Sequence, residues 1–111
     1  MRFYALEKLI NLHDDYLRHF RIDHREMLLL QRHGQVYLIE SRCPHREHAL
    51  DSAIVEQGVI QCPLHQYRFD LGSGNLLSAT EEPCRKLQTY PVVFEGNEVG
   101  VILEDLADGR P

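Results

Sequence analysis

Two short stretches, Cys43-Pro44-His45 and Cys62-Pro63-Leu64-His65, constrain this chain more than anything else in it. Each opens with Cys-Pro and closes on a histidine. Each follows an apolar, strand-like run: Val36 to Glu40 before the first, Val59 to Gln61 before the second. Proline has no backbone N–H to give to a sheet, so Pro44 stops the strand before it. Any fold for this chain must therefore hold two loops at the ends of strands, each presenting one thiol and one imidazole.

The rest of the sequence reads as short strands separated by turns. Phe3 to Ala5 is a first candidate, and Leu6, Leu9, Ile10 and Leu12 are spaced for a helical turn. The stretch from Tyr16 to Ile22 turns at Asp23-His24-Arg25 into Glu26 to Gln31. The Arg32-His33-Gly34-Gln35 turn then leads into Val36 to Glu40, which predicts a hairpin. Residues 42–52 read as polar loop. Tyr67 to Leu71 reads as a strand stopped by Gly72-Ser73-Gly74-Asn75. Leu87 to Phe94 and Val99 to Leu103 flank Glu95-Gly96-Asn97-Glu98 as a closing hairpin, and Asp105 to Pro111 reads as a frayed tail. Many short strands at this spacing predict an all-β antiparallel sandwich or barrel, and 111 residues predict one domain over 1–111.

The formal net charge of −5 argues against a nucleic-acid partner, which calls for a basic patch. The longest apolar run, Met27 to Leu30, falls far short of the ~20 residues of a membrane helix, so no membrane partner is expected. Acidic residues as early as Glu7, Asp14 and Asp15 do not fit a secretory signal. The expected location is the cytoplasm. There, cysteines with nearby histidines read as metal or catalytic residues rather than as disulfides, and an odd count of three weakens the disulfide reading further.

Thiolate and imidazole are strong ligands for zinc and iron, and Cys43, His45, Cys62 and His65 make a four-ligand set. Zinc sites of the two-Cys, two-His type usually pair Cys with Cys and His with His. Here each loop mixes the two. A two-iron cluster suits the mixture, because each loop can then give one ligand to each iron. A zinc-stabilised binding module remains the alternative from another functional class.

The same residues resemble the cluster-binding signature of the Rieske [2Fe–2S] family, in which two histidines replace two cysteines on one iron. The resemblance extends through VYLIESRCPH, CPLHQYRFDLGSGN and LQTYPVVFEGNEVGV, covering roughly residues 26–103. It implies a Rieske-type antiparallel β fold with a small cluster-binding subdomain built from the two loops. It further implies one [2Fe–2S] cluster, with Cys43 and Cys62 on the inner iron and His45 and His65 on the outer. With two thiolates and two neutral imidazoles the oxidised cluster is uncharged, whereas four thiolates leave it anionic. Adding an electron is then easier, which places Rieske centres at roughly −150 to +300 mV against about −400 mV for plant-type ferredoxins.

High-potential relatives carry an extra cysteine in each loop, and hydroxyl donors two and four places after the second histidine. Here residues 46–50 contain no cysteine, Leu64 fills the second loop, and the two donor positions hold Tyr67 and Phe69. The resemblance therefore implies a potential at the low end and a stand-alone ferredoxin of an oxygenase system. Such a chain carries single electrons from a flavin-dependent reductase to a terminal oxygenase or other redox enzyme, and is not itself an enzyme. A small subunit of a nitrite-reductase-like complex is a second reading, disfavoured because those subunits commonly lack the ligands.

The family often has glycine near Glu47 and Gln66, where this chain has bulkier side chains. His48 reads as a surface histidine and Cys84 as a packed, inert thiol. His13, His19, His24 and His33 read as solvent-facing, and Asp14-Asp15, Glu81-Glu82 and Glu104-Asp105 as solvated charge.

Overall fold

In the computed structural model, residues 2–44, 49–50, 53–63, 66–80 and 82–103 are described. The longer strands come first: β1 (Arg2–Lys8), then the meander of β2 (Leu17–Ile22), β3 (Arg25–Arg32) and β4 (Gln35–Glu40). Four three-residue strands follow: β5 (Ile54–Glu56), β6 (Val59–Gln61), β7 (Arg68–Asp70) and β8 (Leu76–Ser78). The chain closes with β9 (Thr89–Tyr90), β10 (Val93–Glu95) and β11 (Glu98–Leu103). These form three antiparallel sheets, in the orders β1-β11-β10, β2-β3-β4-β9 and β5-β6-β7-β8.

The run Met27-Leu28-Leu29-Leu30 explains how the sheets stack. Side chains alternate across a strand, yet all of these are fully buried, so β3 is covered on both faces. Leu28 and Leu30 join Ile39, Leu50, Ile60, Tyr67, Phe69, Leu71 and Leu87 in one core. Met27 and Leu29 point the other way, into a second core with Tyr16, Leu38, Val99, Val101 and Leu103. The β2-β3-β4-β9 sheet is thus the wall between the two cores. Its own turns are tight: Asp23 and His33 hold φ of 55° and 52°, the left-handed conformation that two-residue hairpins require.

Four sequence expectations shift. The helical turn is one turn of 3₁₀ helix, Leu9–Asn11, and Ile10 on it is 88% exposed rather than buried. The expected strand Leu87 to Phe94 divides into β9, paired with β4, and β10, paired with β11. The break falls at Pro91, where the missing N–H ends one ladder and lets the chain change sheets. β5 and β8 lie where no strand was expected; three residues are too few to show a period. The reading of residues 42–52 as polar loop missed Leu50, which is fully buried. The frayed-tail expectation lies outside the described residues.

Candidate metal centre

The structure places Cys43 and Cys62 in the same core, 1% and 2% exposed, with no disulfide between them. Each sits just past a strand end, and each loop is closed at its base. In the first, the Ser41 N–H donates to the Glu26 carbonyl at 3.1 Å and the Ser41 carbonyl accepts from the Leu50 N–H at 2.9 Å. Arg42 and Ala49 form an antiparallel bridge beside them. In the second, the Cys62 N–H donates to the Tyr67 carbonyl at 2.8 Å, next to the paired residues Gln61 and Arg68 of β6 and β7. Two hairpin-like stems thus carry the two Cys-Pro loops out of one core.

His45 and His65, with Arg46, Glu47 and His48, lie outside the described residues. Among the described residues no group of three or more His, Cys, Asp or Glu side chains converges as a metal site. The fit to a cluster is therefore tested on the cysteines. Two thiols buried in one core and sheltered from water, without a disulfide between them, suit the thiolate half of a mixed thiolate–imidazole site.

The positions beyond the second histidine are well defined. Gln66 is exposed and holds φ +58°, a left-handed backbone that glycine adopts without strain. A residue with a Cβ thus makes a turn here that the family often gives to glycine. Tyr67 is fully buried, and its hydroxyl donates to the Glu82 carbonyl. Phe69 is fully buried and has no polar atom to offer. Cys84 is half-buried against the same core, and burial pushes its thiol above the usual range, with the negative influence of Cys43 adding to it.

The remaining histidines, His13, His19, His24 and His33, are exposed as expected. Asp14 is more than solvated charge. Its Oδ1 accepts from the Gln31 side chain and from the Gly34 N–H, both at 2.9 Å, which ties the loop before β2 to the β3–β4 turn. The Gln31 donor, then the Gly34 N–H, holds its carboxyl below the usual range. Sequence reasoning also missed Glu40 and Arg85, whose contact spans 45 positions and leaves no local pattern.

A model of the Rieske [2Fe–2S] domain matches residues 3–91. The chain belongs to this family. The ferredoxin component of the naphthalene 1,2-dioxygenase system of Pseudomonas aeruginosa is 33% identical over 82 residues, covering 74% of this chain and 77% of that protein. The solved ferredoxin of carbazole 1,9a-dioxygenase from Nocardioides aromaticivorans IC177 superposes with a TM-score of 0.79 at 29% identity, over 94% of this chain and all of that one. A complex of reduced oxygenase and oxidised ferredoxin in carbazole 1,9a-dioxygenase contains the same fold, with a TM-score of 0.76 at 23% identity, over 89% of this chain and 91% of that one. This Rieske domain is accordingly an electron carrier with one [2Fe–2S] cluster, like the relatives named as ferredoxin components of dioxygenase systems.

Proposed function

We propose that this Rieske chain is the ferredoxin of an oxygenase system, receiving single electrons from a flavin-dependent reductase and delivering them to a terminal oxygenase in the cytoplasm. In this reading the whole chain, 1–111, is one domain. Cys43 and Cys62 hold the inner iron and His45 and His65 the outer. The observation that carries the reading is the burial of the Cys43 and Cys62 thiols in one core, not joined to each other, at the ends of two closed stems. When bound, the cluster supplies a reversible one-electron couple.

The chain's own part is to exclude water and to limit hydrogen bonding around that couple. The core of Leu28, Ile39, Leu50 and Ile60 keeps water from the two thiolates. Phe69 offers no donor, and the Tyr67 hydroxyl proton goes to the Glu82 carbonyl. Fewer donors to the sulfurs leave the added electron less stabilised, so the potential belongs at the low end for Rieske centres.

The test is an EPR spectrum of the anaerobically purified protein after dithionite reduction, followed by a redox titration. A rhombic signal with an average g well below that of all-cysteine clusters, on a red-brown protein, supports the reading. A colourless protein with stoichiometric zinc would replace it with the zinc-stabilised module. A protein with no metal would favour the structural subunit.

A further inference from the structure

Glu40 ends β4, three residues before Cys43. Three donors converge on its carboxylate. Arg85 Nη2 lies 2.8 Å from Oε1, Arg85 Nη1 lies 2.7 Å from Oε2, and the Gln88 N–H lies 2.6 Å from Oε2. The Glu40 N–H donates in turn to the Gln88 carbonyl at 2.9 Å. The β4–β9 ladder, whose paired residues are Leu38 with Tyr90 and Ile39 with Thr89, is thereby carried one residue further towards the first loop. A guanidinium that meets a carboxylate through both nitrogens fixes direction as well as distance. The Glu40 side chain is only 15% exposed, so this pair is better shielded than most surface pairs, although Arg85 itself is 59% exposed.

The segment held by this clamp, 82–88, is fastened at two other points. The Tyr67 hydroxyl donates to the Glu82 carbonyl, and the Leu87 N–H donates to the Gly74 carbonyl at 2.8 Å. Tyr67 is also the residue whose carbonyl accepts the Cys62 N–H. Cys84 and Leu87, between these points, pack on the core that contains Cys43 and Cys62. One strap therefore joins the strand that leads into Cys43 to the turn that follows Cys62.

We infer that Glu40 and Arg85 are positioning residues for the cluster: their clamp tightens the 82–88 strap and so fixes the placement of Cys43 against Cys62. The inference rests on the reading that these two cysteines ligate iron. Acting by charge alone, the two residues would oppose each other, since a carboxylate disfavours an added electron and a guanidinium favours it. Acting by placement, they work together, because removing either one opens the same clamp.

The experiment compares the purified holoprotein with Glu40→Gln, Arg85→Met, the double variant and the conservative Arg85→Lys. Iron release to an added chelator, the midpoint potential, the EPR g-values and the thermal midpoint are read for each. Each of Glu40→Gln and Arg85→Met is expected to speed iron release about tenfold and to shift the potential in one common direction. The double variant should be no worse than the poorer single by more than about a factor of two, the non-additivity of residues that share one contact. Arg85→Lys should recover part of the loss. Potentials that move in opposite directions and add, with wild-type iron release, would overturn the inference in favour of charge. Wild-type potential and g-values alongside a lowered thermal midpoint would overturn it in favour of a merely structural pair. A wild-type protein with no cluster signal would instead defeat the proposed function itself, and the two failures are thereby told apart.

Discussion

The two cores on either side of β3 are built on different principles. The core containing Met27, Leu29, Leu38, Val99, Val101 and Leu103 is aliphatic apart from Tyr16, and long strands line it: β3 has eight residues, β11 six and β1 seven. The core containing Leu28, Leu30 and Ile39 also holds two thiols, and on its far side are four strands of three residues each. Three-residue strands contribute few ladder hydrogen bonds and little packing of their own. The first core can close on apolar burial alone. The other relies on loop closures, on the strap at 82–88 and, in the proposed function, on the cluster its cysteines would hold. The candidate site thus stands on the less self-sufficient half, supported by a wall that the other half stiffens.

The harshest way to break this comparison is to remove the proposed cysteine ligands. Cys43→Ala with Cys62→Ala should abolish iron binding altogether. Amide hydrogen exchange should then accelerate across β5 to β8 while β3 and β11 keep most of their protection. Equal loss of protection on both sides of β3 would mean that the two cores form one cooperative unit, and the contrast drawn above would fail.

Neighbouring leucines sharpen the contrast at finer scale. Leu28 and Leu29 are both fully buried, one in each core, at consecutive positions of the same strand. Leu28→Ala and Leu29→Ala should each lower stability by about 2–5 kcal/mol, the usual range for truncating a buried leucine. Only Leu28→Ala should also speed iron loss to a chelator relative to its effect on unfolding. Parallel effects of both variants on iron loss would show that the wall does not insulate the site.

This same strand shows what the sequence could and could not reveal. The apolar run at 27–30 announced a buried strand, and the paired Cys-Pro loops announced a candidate site; both signals are local. That the run serves two cores is a tertiary fact, visible only once β11 and the short strands cover opposite faces. Pro91 was in plain view, yet the run around it reads as one strand because Thr89, Tyr90, Val93 and Phe94 are all good strand formers. β5 was concealed by its length, although Gln57-Gly58 after it is a two-residue hairpin signal, with φ of 52° and 76°. Leu50 stands as a lone large apolar residue in a polar stretch, and the Glu40–Arg85 clamp joins residues with no shared pattern. Neither could be found without the fold.

Gly74 offers a smaller perturbation confined to the site's half. A Cβ built there would lie 2.1 Å from the Leu87 carbonyl oxygen, and the residue holds φ +80°. Gly74→Ala should therefore push Leu87 and the strap outward, at a cost of about 1–3 kcal/mol. Iron release should rise, while the core of Met27, Leu29 and Val101 should stay protected in hydrogen exchange. A variant with wild-type iron retention would show that the strap can shift without disturbing the cysteines.

The mildest test belongs to the other half. Glu7, beside a bulge in β1, accepts from the Asn11 side chain at 2.9 Å, the Lys8 N–H at 2.8 Å, the Tyr16 hydroxyl at 2.8 Å and Arg18 at 3.4 Å. The Asn11 and Lys8 donors, then Tyr16, lower its carboxyl to about 2. Because that lies below its ordinary value of 4.5, the carboxylate's contribution is complete above pH 4.5 and is lost as pH falls towards 2. Burial first, and then Glu7, pushes the Tyr16 hydroxyl up to about 12. A raised value works in reverse: that contribution is complete below pH 10 and is lost as pH climbs towards 12. Glu7→Gln should cost about 1 kcal/mol at neutral pH, because the amide keeps the shape of the carboxylate and its oxygen can still accept from the donors around it. The difference in thermal midpoint between the two proteins should narrow from pH 5 to pH 3. Asp14 and Asp70, also lowered by their donors, are common to both proteins and cancel in that difference. A gap that holds constant down to pH 3 would mean that the Tyr16 contact does not depend on the Glu7 charge. A gap that narrows without any change in iron release at matched pH would show that the aliphatic half can loosen at its rim while the cluster half holds.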